Sequence, residues 1–204
     1  MERIELSNVM QGYEQCKGMN DLVTNSGEPI LKDLTHTVKN LQQHWIGSDA
    51  TVHINNLIKV QKALEALLKD AKGISSVAGS AISAIQEVMK ANGGNVTVGD
   101  ILGKGIQAVD SLTDSAETNE FNVDPAANND YKELCSERKA FDTFVTDFGN
   151  EKDELFKNWT AGAGREDAVK CFNEFMDNSD QYKKYLADAE ENLGIAVSNI
   201  SQLG

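Results

Sequence analysis

Positive charge, proline and aromatic side chains are scarce in this chain of 204 residues. It carries 19 Lys and Arg against 32 Asp and Glu, which gives a formal net charge of −13 at pH 7. Because contacts to nucleic-acid phosphates and to anionic lipids need a positive surface, this balance argues against both kinds of partner. Two prolines and 6% aromatics in a chain that is 40% hydrophobic favour a folded, helical protein.

Long apolar runs are missing as well. No stretch approaches the roughly 20 consecutive apolar residues that a membrane-spanning helix needs, so we expect no stable membrane insertion. Residues 1–6 do not combine a basic segment with a following apolar one. This predicts that export, if it occurs, proceeds without a cleaved signal peptide.

Residue patterns typical of catalytic or metal sites are also absent. The three cysteines, Cys16, Cys135 and Cys171, do not have the spacing of a zinc site, and an odd number cannot form a closed disulfide framework. Each falls on an apolar stripe, and we expect each to be a small buried core residue. The histidines form no i, i+4 pair and no serine lies in a nucleophile elbow. We therefore predict no catalytic residue, no metal, no cofactor and no enzymatic activity.

Helical spacing of apolar residues dominates what the sequence does contain. Apolar side chains recur in steps of three, four or seven over residues 6–45, and the pattern resumes over residues 50–88. Such seams predict amphipathic helices that pack in a bundle. Gly27-Glu28-Pro29 interrupts the first seam, but the register continues beyond it. We therefore expect a kink there and not a loop.

Trp45-Ile46-Gly47 stands between these two helical arms. Glycine suits the left-handed position after a helix end, and Ser48 or Asp49 can cap the helix that follows. A turn this short makes the two arms antiparallel. Two helices alone cannot bury both apolar stripes, so the hairpin needs a second hairpin as a partner.

The second half of the chain repeats this organisation. Asp124-Pro125 predicts a helix start, with Asp as the N-cap and Pro as the first helical residue. An apolar seam then reaches Trp159 and resumes after a glycine-containing turn. Ala161 stands where the first turn has Gly47, and Gly162 follows one residue later. A repeat of this length predicts two hairpins in tandem.

The connector between the hairpins breaks the pattern. Its apolar spacing predicts a short amphipathic helix from about residue 98 to 115, and residues 116–124 are predicted to be a solvated linker. Antiparallel hairpins need a connector that runs about 60 Å, which thirty-odd residues can do. We therefore predict an all-α fold: hairpin 1–92, connector 93–124 with a short connecting helix, and hairpin 125–204, the two antiparallel hairpins forming a four-helix bundle.

The first ninety or so residues resemble the WXG family, the small early-secreted-antigen-like substrates of bacterial type VII secretion. The resemblance rests on Trp45-Ile46-Gly47, on its position between two long helices and on the lack of a signal peptide. The second half, with Trp159 and Gly162, is similar to a degenerate copy, so the chain looks like a tandem fusion of two WXG-type hairpins. Some members carry a Tyr followed four residues later by Asp or Glu, which neither Tyr182 nor Tyr185 matches.

This resemblance implies a non-enzymatic secretion substrate, chaperone or adaptor that acts through protein–protein contacts of a helical bundle. Its partners would be the type VII secretion ATPase complex and a co-secreted helical protein, and it would act as a monomer or homodimer. It would be made in the bacterial cytoplasm and secreted to the cell surface or the medium. Trp45, Gly47, Trp159 and Gly162 are then the turn and docking residues. Each tryptophan can cover the open end of the core, dock a partner, or do both.

Two other functions remain open. Residues 73–86 carry no charge and many small side chains. Such a segment indicates either close packing of helices or a concealed membrane-active segment of a helical pore-forming toxin. The chain could also be the targeting domain of a larger secreted effector.

Overall fold

The computed structural model describes residues 5–6, 8–93, 105–162 and 164–201. Its helices are α1 (Val9–Leu22), α2 (Glu28–His44), α3 (Ser48–Ala91), α4 (Ala127–Asn158) and α5 (Arg165–Ser201). Its short strands form two antiparallel pairs, β1 (Glu5–Leu6) with β4 (Trp159–Ala161) and β2 (Trp45–Ile46) with β3 (Asn122–Val123). The predicted all-α fold is confirmed.

The first arm runs from α1 into α2 without a loop, as the sequence predicts. The side chain of Asn8 caps α1 by accepting from the backbone N–H of Gln11 at 3.1 Å. One turn of π-helix, Val23–Gly27, joins α1 to α2. Pro29 therefore falls in the first turn of α2, two residues after the π-helical turn ends.

Gly27 lies where the structure has no room for a side chain. An added Cβ would be 2.5 Å from Cδ2 of Leu68, whereas one added at Gly73 in α3 would meet nothing within 4 Å. We expect Gly27→Ala to destabilise the protein by about 1–3 kcal/mol through overpacking. Gly73→Ala adds the same methyl group and should stabilise the helix by about 0.5–1 kcal/mol. Urea unfolding measures both, and effects of the same sign would contradict this packing.

The described chain forms two compact units, each with four α-helical segments. Unit 1 contains α1, the later part of α3, the later part of α4 and the start of α5. Unit 2 contains α2, the start of α3, the start of α4 and the remainder of α5. Each unit therefore draws helices from both predicted hairpins, 1–92 and 125–204.

Unit 1 has an aromatic core. The ring of Phe148 lies 4.6 Å from that of Phe175 and 6.0 Å from that of Phe172, measured between centroids. The other buried apolar side chains here include Cys16, Met19, Leu67, Leu68, Ala78, Ile82, Phe144 and Leu155. The predicted apolar seam over residues 50–88 is wrong at two positions in the later part of α3, because Val77 is 61% and Val88 is 54% exposed.

The uncharged segment 73–86 packs with only one face. Ser75, Ala78 and Ile82 are fully buried, whereas Val77 is 61% exposed. The segment therefore contributes to the core of unit 1 and also leaves an uncharged face, which includes Val77 and Ser80, at the surface. Within the described ranges, no helix is both long and apolar enough to cross a membrane.

Unit 2 has a mainly aliphatic core. The buried apolar residues include Leu31, Leu34, Val38, Leu41, Ile54, Leu57, Ile58, Leu64, Leu134, Phe141, Tyr182, Leu186 and Leu193. Phe141 and Tyr182 meet edge to face, with ring centroids 4.5 Å apart. Such a pair adds about 0.5–1.5 kcal/mol to the stabilisation from burial alone.

The predicted connector helix is wrong over residues 105–115, which have no regular secondary structure. Side chains of α2 and α3 bind this backbone instead. Ser115 N–H donates to Oδ1 of Asn55 at 2.8 Å, and Nε2 of Gln42 donates to the carbonyl of Thr113 at 2.8 Å. These hydrogen bonds replace those that a helix would make within itself. Residues 98–104 of the predicted helix lie outside the described residues.

The predicted solvated linker, residues 116–124, is wrong at its end, where Asn122–Val123 forms β3. The predicted helix start at Asp124 is close to the structure. Its side-chain Oδ1 accepts from the N–H of Ala126 at 2.8 Å, and its carbonyl accepts from the N–H of Ala127, where α4 begins. One capped turn therefore precedes the helix.

The cysteines differ in burial. All three are free: Cys16 is buried, Cys135 is half-buried and Cys171 is exposed. The prediction that each is a core residue is wrong for Cys171. The buried face of α5 passes through Ala168 and Phe172, and the helical period places residue 171 beside that face and not on it.

Candidate functional site: the two tryptophan turns

The first turn joins α2 to α3 through β2 and Gly47. Gly47 has φ of +156°, and a Cβ added there would lie 3.2 Å from Cδ2 of Phe121. Its carbonyl accepts from both the backbone N–H and the hydroxyl of Thr51, each at 3.0 Å. Gly47 therefore allows the close approach of Phe121 and closes the first turn of α3.

The indole of Trp45 lies inside unit 2. It is only 3% exposed and stacks on His53, with ring centroids 5.7 Å apart and 16° between the planes. Phe121, which lies against Gly47, is 69% exposed. Trp45 thus covers core residues, and Phe121 is the large apolar side chain that this turn presents to solvent.

The first turn is hydrogen-bonded to the segment that leads into the second hairpin and to its first helix. β2 pairs with β3, and Asp124 N–H donates to the carbonyl of His44 at 2.7 Å. Nδ1 of His44 lies 2.7 Å from Oδ2 of Asp130, a buried carboxylate in the first turn of α4. Main-chain and side-chain contacts therefore hold the two segments together.

The second turn has the same order of features. α4 ends at Asn158, β4 follows, Gly162 has φ of +130°, and α5 begins at Arg165. β4 has three residues where β2 has two, and its pairing with β1 is irregular. This additional residue explains why Ala161 occupies the position of Gly47 and why the positive-φ glycine comes one residue later.

Trp159 is fully buried in unit 1. Its ring lies 6.2 Å from that of Phe156, and its carbonyl accepts from Nε of Arg165 at 2.6 Å. The indole Nε1 is buried and has no hydrogen-bond partner among the residues that the structure describes. The indole therefore acts here as a large apolar group.

Asn158 fastens the second turn to the start of the first hairpin. Asn8 N–H donates to Oδ1 of Asn158 at 2.8 Å, and Nδ2 of Asn158 donates to the carbonyl of Asn8 at 2.7 Å. Asn8 is the N-cap of α1, and β1, which pairs with β4, lies just before it. This turn therefore makes the same two kinds of contact as the first.

The sequence did not identify His44 and Asn158 as contact residues of the turns. Each directly precedes a tryptophan at the end of a long helix, and that shared position is a detectable signal. Their partners, Asp130 and Asn8, are 86 and 150 residues away in the chain, and no local pattern identifies them.

The structure places the four predicted turn residues as two pairs. Trp45 and Gly47 belong to unit 2, and Trp159 and Gly162 belong to unit 1. In the described part of the chain, no group of three or more His, Cys, Asp or Glu side chains is arranged to hold a metal ion. At each turn, main-chain strand pairing joins the turn to a segment next to the other hairpin.

Unit 2 also contains a polar cavity of about 400 Å³ between α2 and α4, which the sequence did not predict. Its exposed lining residues are Asp33, His36, Lys132, Glu133 and Ser136, and its buried ones are Thr37 and Glu137. Burial raises the pKa of Glu137 to about 7; a hydrogen bond from Thr37 opposes the rise, and the charges of Asp33 and Glu133 add to it.

Comparison of the chain with models of protein families, with curated proteins and with solved structures gave no match. The resemblance to the WXG family therefore depends on the residues and turns described above.

Proposed function

We propose that the protein is a non-enzymatic substrate, chaperone or adaptor of type VII secretion that acts through protein–protein contacts of its helices. The observation that best supports this proposal is that the strands of both tryptophan turns are paired with distant segments of the chain. Each Trp–Gly turn pairs with the segment that starts the other hairpin. Its partners would be the secretion ATPase complex and a co-secreted helical protein.

A single hairpin would leave its turn strand without a pairing partner and its apolar helix face uncovered. In this chain β3 pairs with β2 and β1 pairs with β4, while helices of both hairpins share each core. One chain therefore supplies what two separate hairpins would otherwise supply to each other. This supports action as a monomer or homodimer that presents its outer surface to other proteins.

Phe121 is our candidate contact residue at the first turn. The two tryptophans are buried, so they shape the turns and cannot contact a partner while the units stay folded. Phe121 is 69% exposed, and large exposed aromatic side chains are common anchors at protein interfaces.

An export assay in a bacterium with a type VII apparatus tests the proposal. We expect the chain to reach the medium when the secretion ATPase is active and to stay in the cells when it is inactivated. Phe121→Ala should lower the exported fraction by up to about 10-fold, the typical effect of losing an interface anchor, with little change in stability. Val52→Ala removes another exposed apolar side chain of unit 2, one that is 59% exposed, and serves as the matched control.

Two results would count against this proposal. Export that does not depend on the ATPase would contradict type VII secretion. Equal export of Phe121→Ala and Val52→Ala would show that the contact surface lies elsewhere on the bundle.

The exposed face of segment 73–86 favours a second candidate, a component of a helical pore-forming toxin. Val77 is 61% exposed and Gly73 has open space beside it, so an uncharged face is available to a lipid surface. Dye leakage from liposomes at low protein concentration, abolished by Val77→Lys but not by Val52→Lys, would favour the toxin over secretion. We expect no leakage.

A further inference from the structure

We propose that the polar cavity between α2 and α4 binds an organic cation, an alkylammonium or guanidinium group, on the buried carboxylate of Glu137. The site lies within unit 2. It does not depend on the secretion role and can be tested separately from it.

The first reason is a carboxylate oxygen that has no donor. Oε1 of Glu137 accepts from the hydroxyl of Thr37 at 2.6 Å, whereas Oε2 is buried and has no hydrogen-bond partner among the described residues. Glu137 is only 7% exposed, yet it lines the cavity. A buried acceptor without a donor is destabilising, so a ligand that brings N–H groups into the cavity would correct this.

The second reason is the charge around the cavity. The titratable groups near Glu137 are Asp33 and His36 on α2, Lys132 and Glu133 on α4, and Tyr182 on α5. The cavity is therefore lined by three carboxyl groups and one lysine, in a chain whose net charge is −13. The buried hydroxyl of Tyr182 likewise has no hydrogen-bond partner in the described structure. A cavity of this sign concentrates cations.

The arrangement favours an organic cation over a metal ion. Among the described side chains, no cluster of His, Cys, Asp and Glu is arranged for metal coordination. Ammonium and guanidinium groups carry several N–H donors and need only acceptors from the protein. A volume of about 400 Å³ also lies in the range of pockets that hold small organic ligands.

Binding at Oε2 would be coupled to the protonation of Glu137. Burial raises the pKa of this carboxyl to about 7, and a cation beside it would favour the ionised form. Because only the ionised carboxylate accepts the ligand, we expect affinity to be about 10-fold higher at pH 8 than at pH 6. Other titratable side chains line the same cavity, so the test needs a readout specific to Glu137.

Isothermal titration of the full chain with agmatine and with putrescine provides the test. The titrations use phosphate buffer, which contains no competing amine, and a NaCl titration at matched ionic strength. Glu137→Gln should weaken binding at least about 10-fold, because it removes the charge that the ligand pairs with. Glu191→Gln makes the same charge change at an exposed position of α5 and should leave affinity within about twofold.

Carbon-13 NMR of the Glu137 carboxyl gives the specific readout, and its pKa should fall when agmatine saturates the site. A blocked tripeptide with a central arginine identifies the source of the cation. Binding of the free amines alone indicates a small metabolite, and binding of the peptide indicates a side chain of another protein. The proposal is overturned if none of the three ligands binds at several millimolar, if the wild type and Glu137→Gln bind equally, or if NaCl reproduces the effect.

Discussion

Trp159→Ala is expected to lower the free energy of unfolding by about 3–5 kcal/mol, the usual cost of truncating a buried aromatic side chain. Trp159 is fully buried, and its neighbour Phe156 lies in turn 5.6 Å from Phe172. Removing the indole therefore opens a cavity beside aromatic rings that cannot easily collapse into it. Chemical denaturation measures the loss.

The unpaired indole nitrogen makes a second variant informative. Because Nε1 of Trp159 has no hydrogen-bond partner in the described chain, Trp159→Phe loses volume but no hydrogen bond. We expect it to cost about 1–2 kcal/mol, well below the alanine variant. Equal losses for Phe and Ala would show that the N–H group has a partner that stabilises the fold. Val52→Ala, at an exposed site, should change stability by less than about 0.5 kcal/mol.

Trp159→Ala should also loosen the contact between the second turn and α1. Trp159 lies in the strand that pairs with β1, next to Asn158, which binds Asn8 at 2.7 and 2.8 Å. Hydrogen exchange at the N–H of Asn8 should therefore speed up in Trp159→Ala by more than in Trp45→Ala. Equal rates in the two variants would contradict the pairing described for unit 1.

Glu137→Gln is expected to stabilise the protein by up to about 3 kcal/mol at pH 8 and by nothing measurable near pH 4.5. Burial raises the pKa of the native carboxyl from 4.5 to about 7. Each unit of this pKa shift corresponds to about 1.4 kcal/mol in the free energy of unfolding. Between pH 4.5 and about pH 7 the native state holds a proton on Glu137 that the unfolded state releases. Stability from this group is therefore fully present below about pH 4.5 and is lost as pH rises through 7.

Glutamine resembles the protonated acid and can still accept from the hydroxyl of Thr37, so it removes this pH dependence. For a chain of this length the expected rise in Tm at pH 8 is roughly 5–10 °C. The difference between wild type and Glu137→Gln across pH 4.5–8 isolates this carboxyl from other titrating groups. Glu191→Gln controls for the change in net charge. A constant difference across that range, or a less stable Glu137→Gln at pH 8, would contradict the burial of this group.

The helices and both turns could be predicted because their determinants are local. Apolar spacing predicts most of the residues that the helices bury, although Val77 and Val88 of α3 are exposed, and the Trp–Gly steps mark where the arms end. Even the shift from Gly47 to Gly162 was visible in the sequence, although its cause, the additional residue of β4, was not. Pro29 could be placed in a continuous arm because the apolar register runs through it.

The connector could not be predicted because its partners are distant in the chain. Residues 105–115 have helical spacing, yet they form no helix, and the side chains of Asn55 and Gln42 bind their backbone. The connector makes these hydrogen bonds with helices of the first hairpin, and they outweigh a weak helical preference. The same holds for β3, which forms only because β2 offers an edge.

The sequence by itself determined an acidic all-α protein with two tryptophan turns and four apolar seams, since composition and helical period are properties of the local chain. Only the tertiary structure decided that each turn pairs with the start of the other hairpin, that both indoles are buried, and that Glu137 faces a polar cavity. Each of these outcomes depends on which distant segments share a core, and burial there determines the hydrogen bonding and the charge of the groups involved.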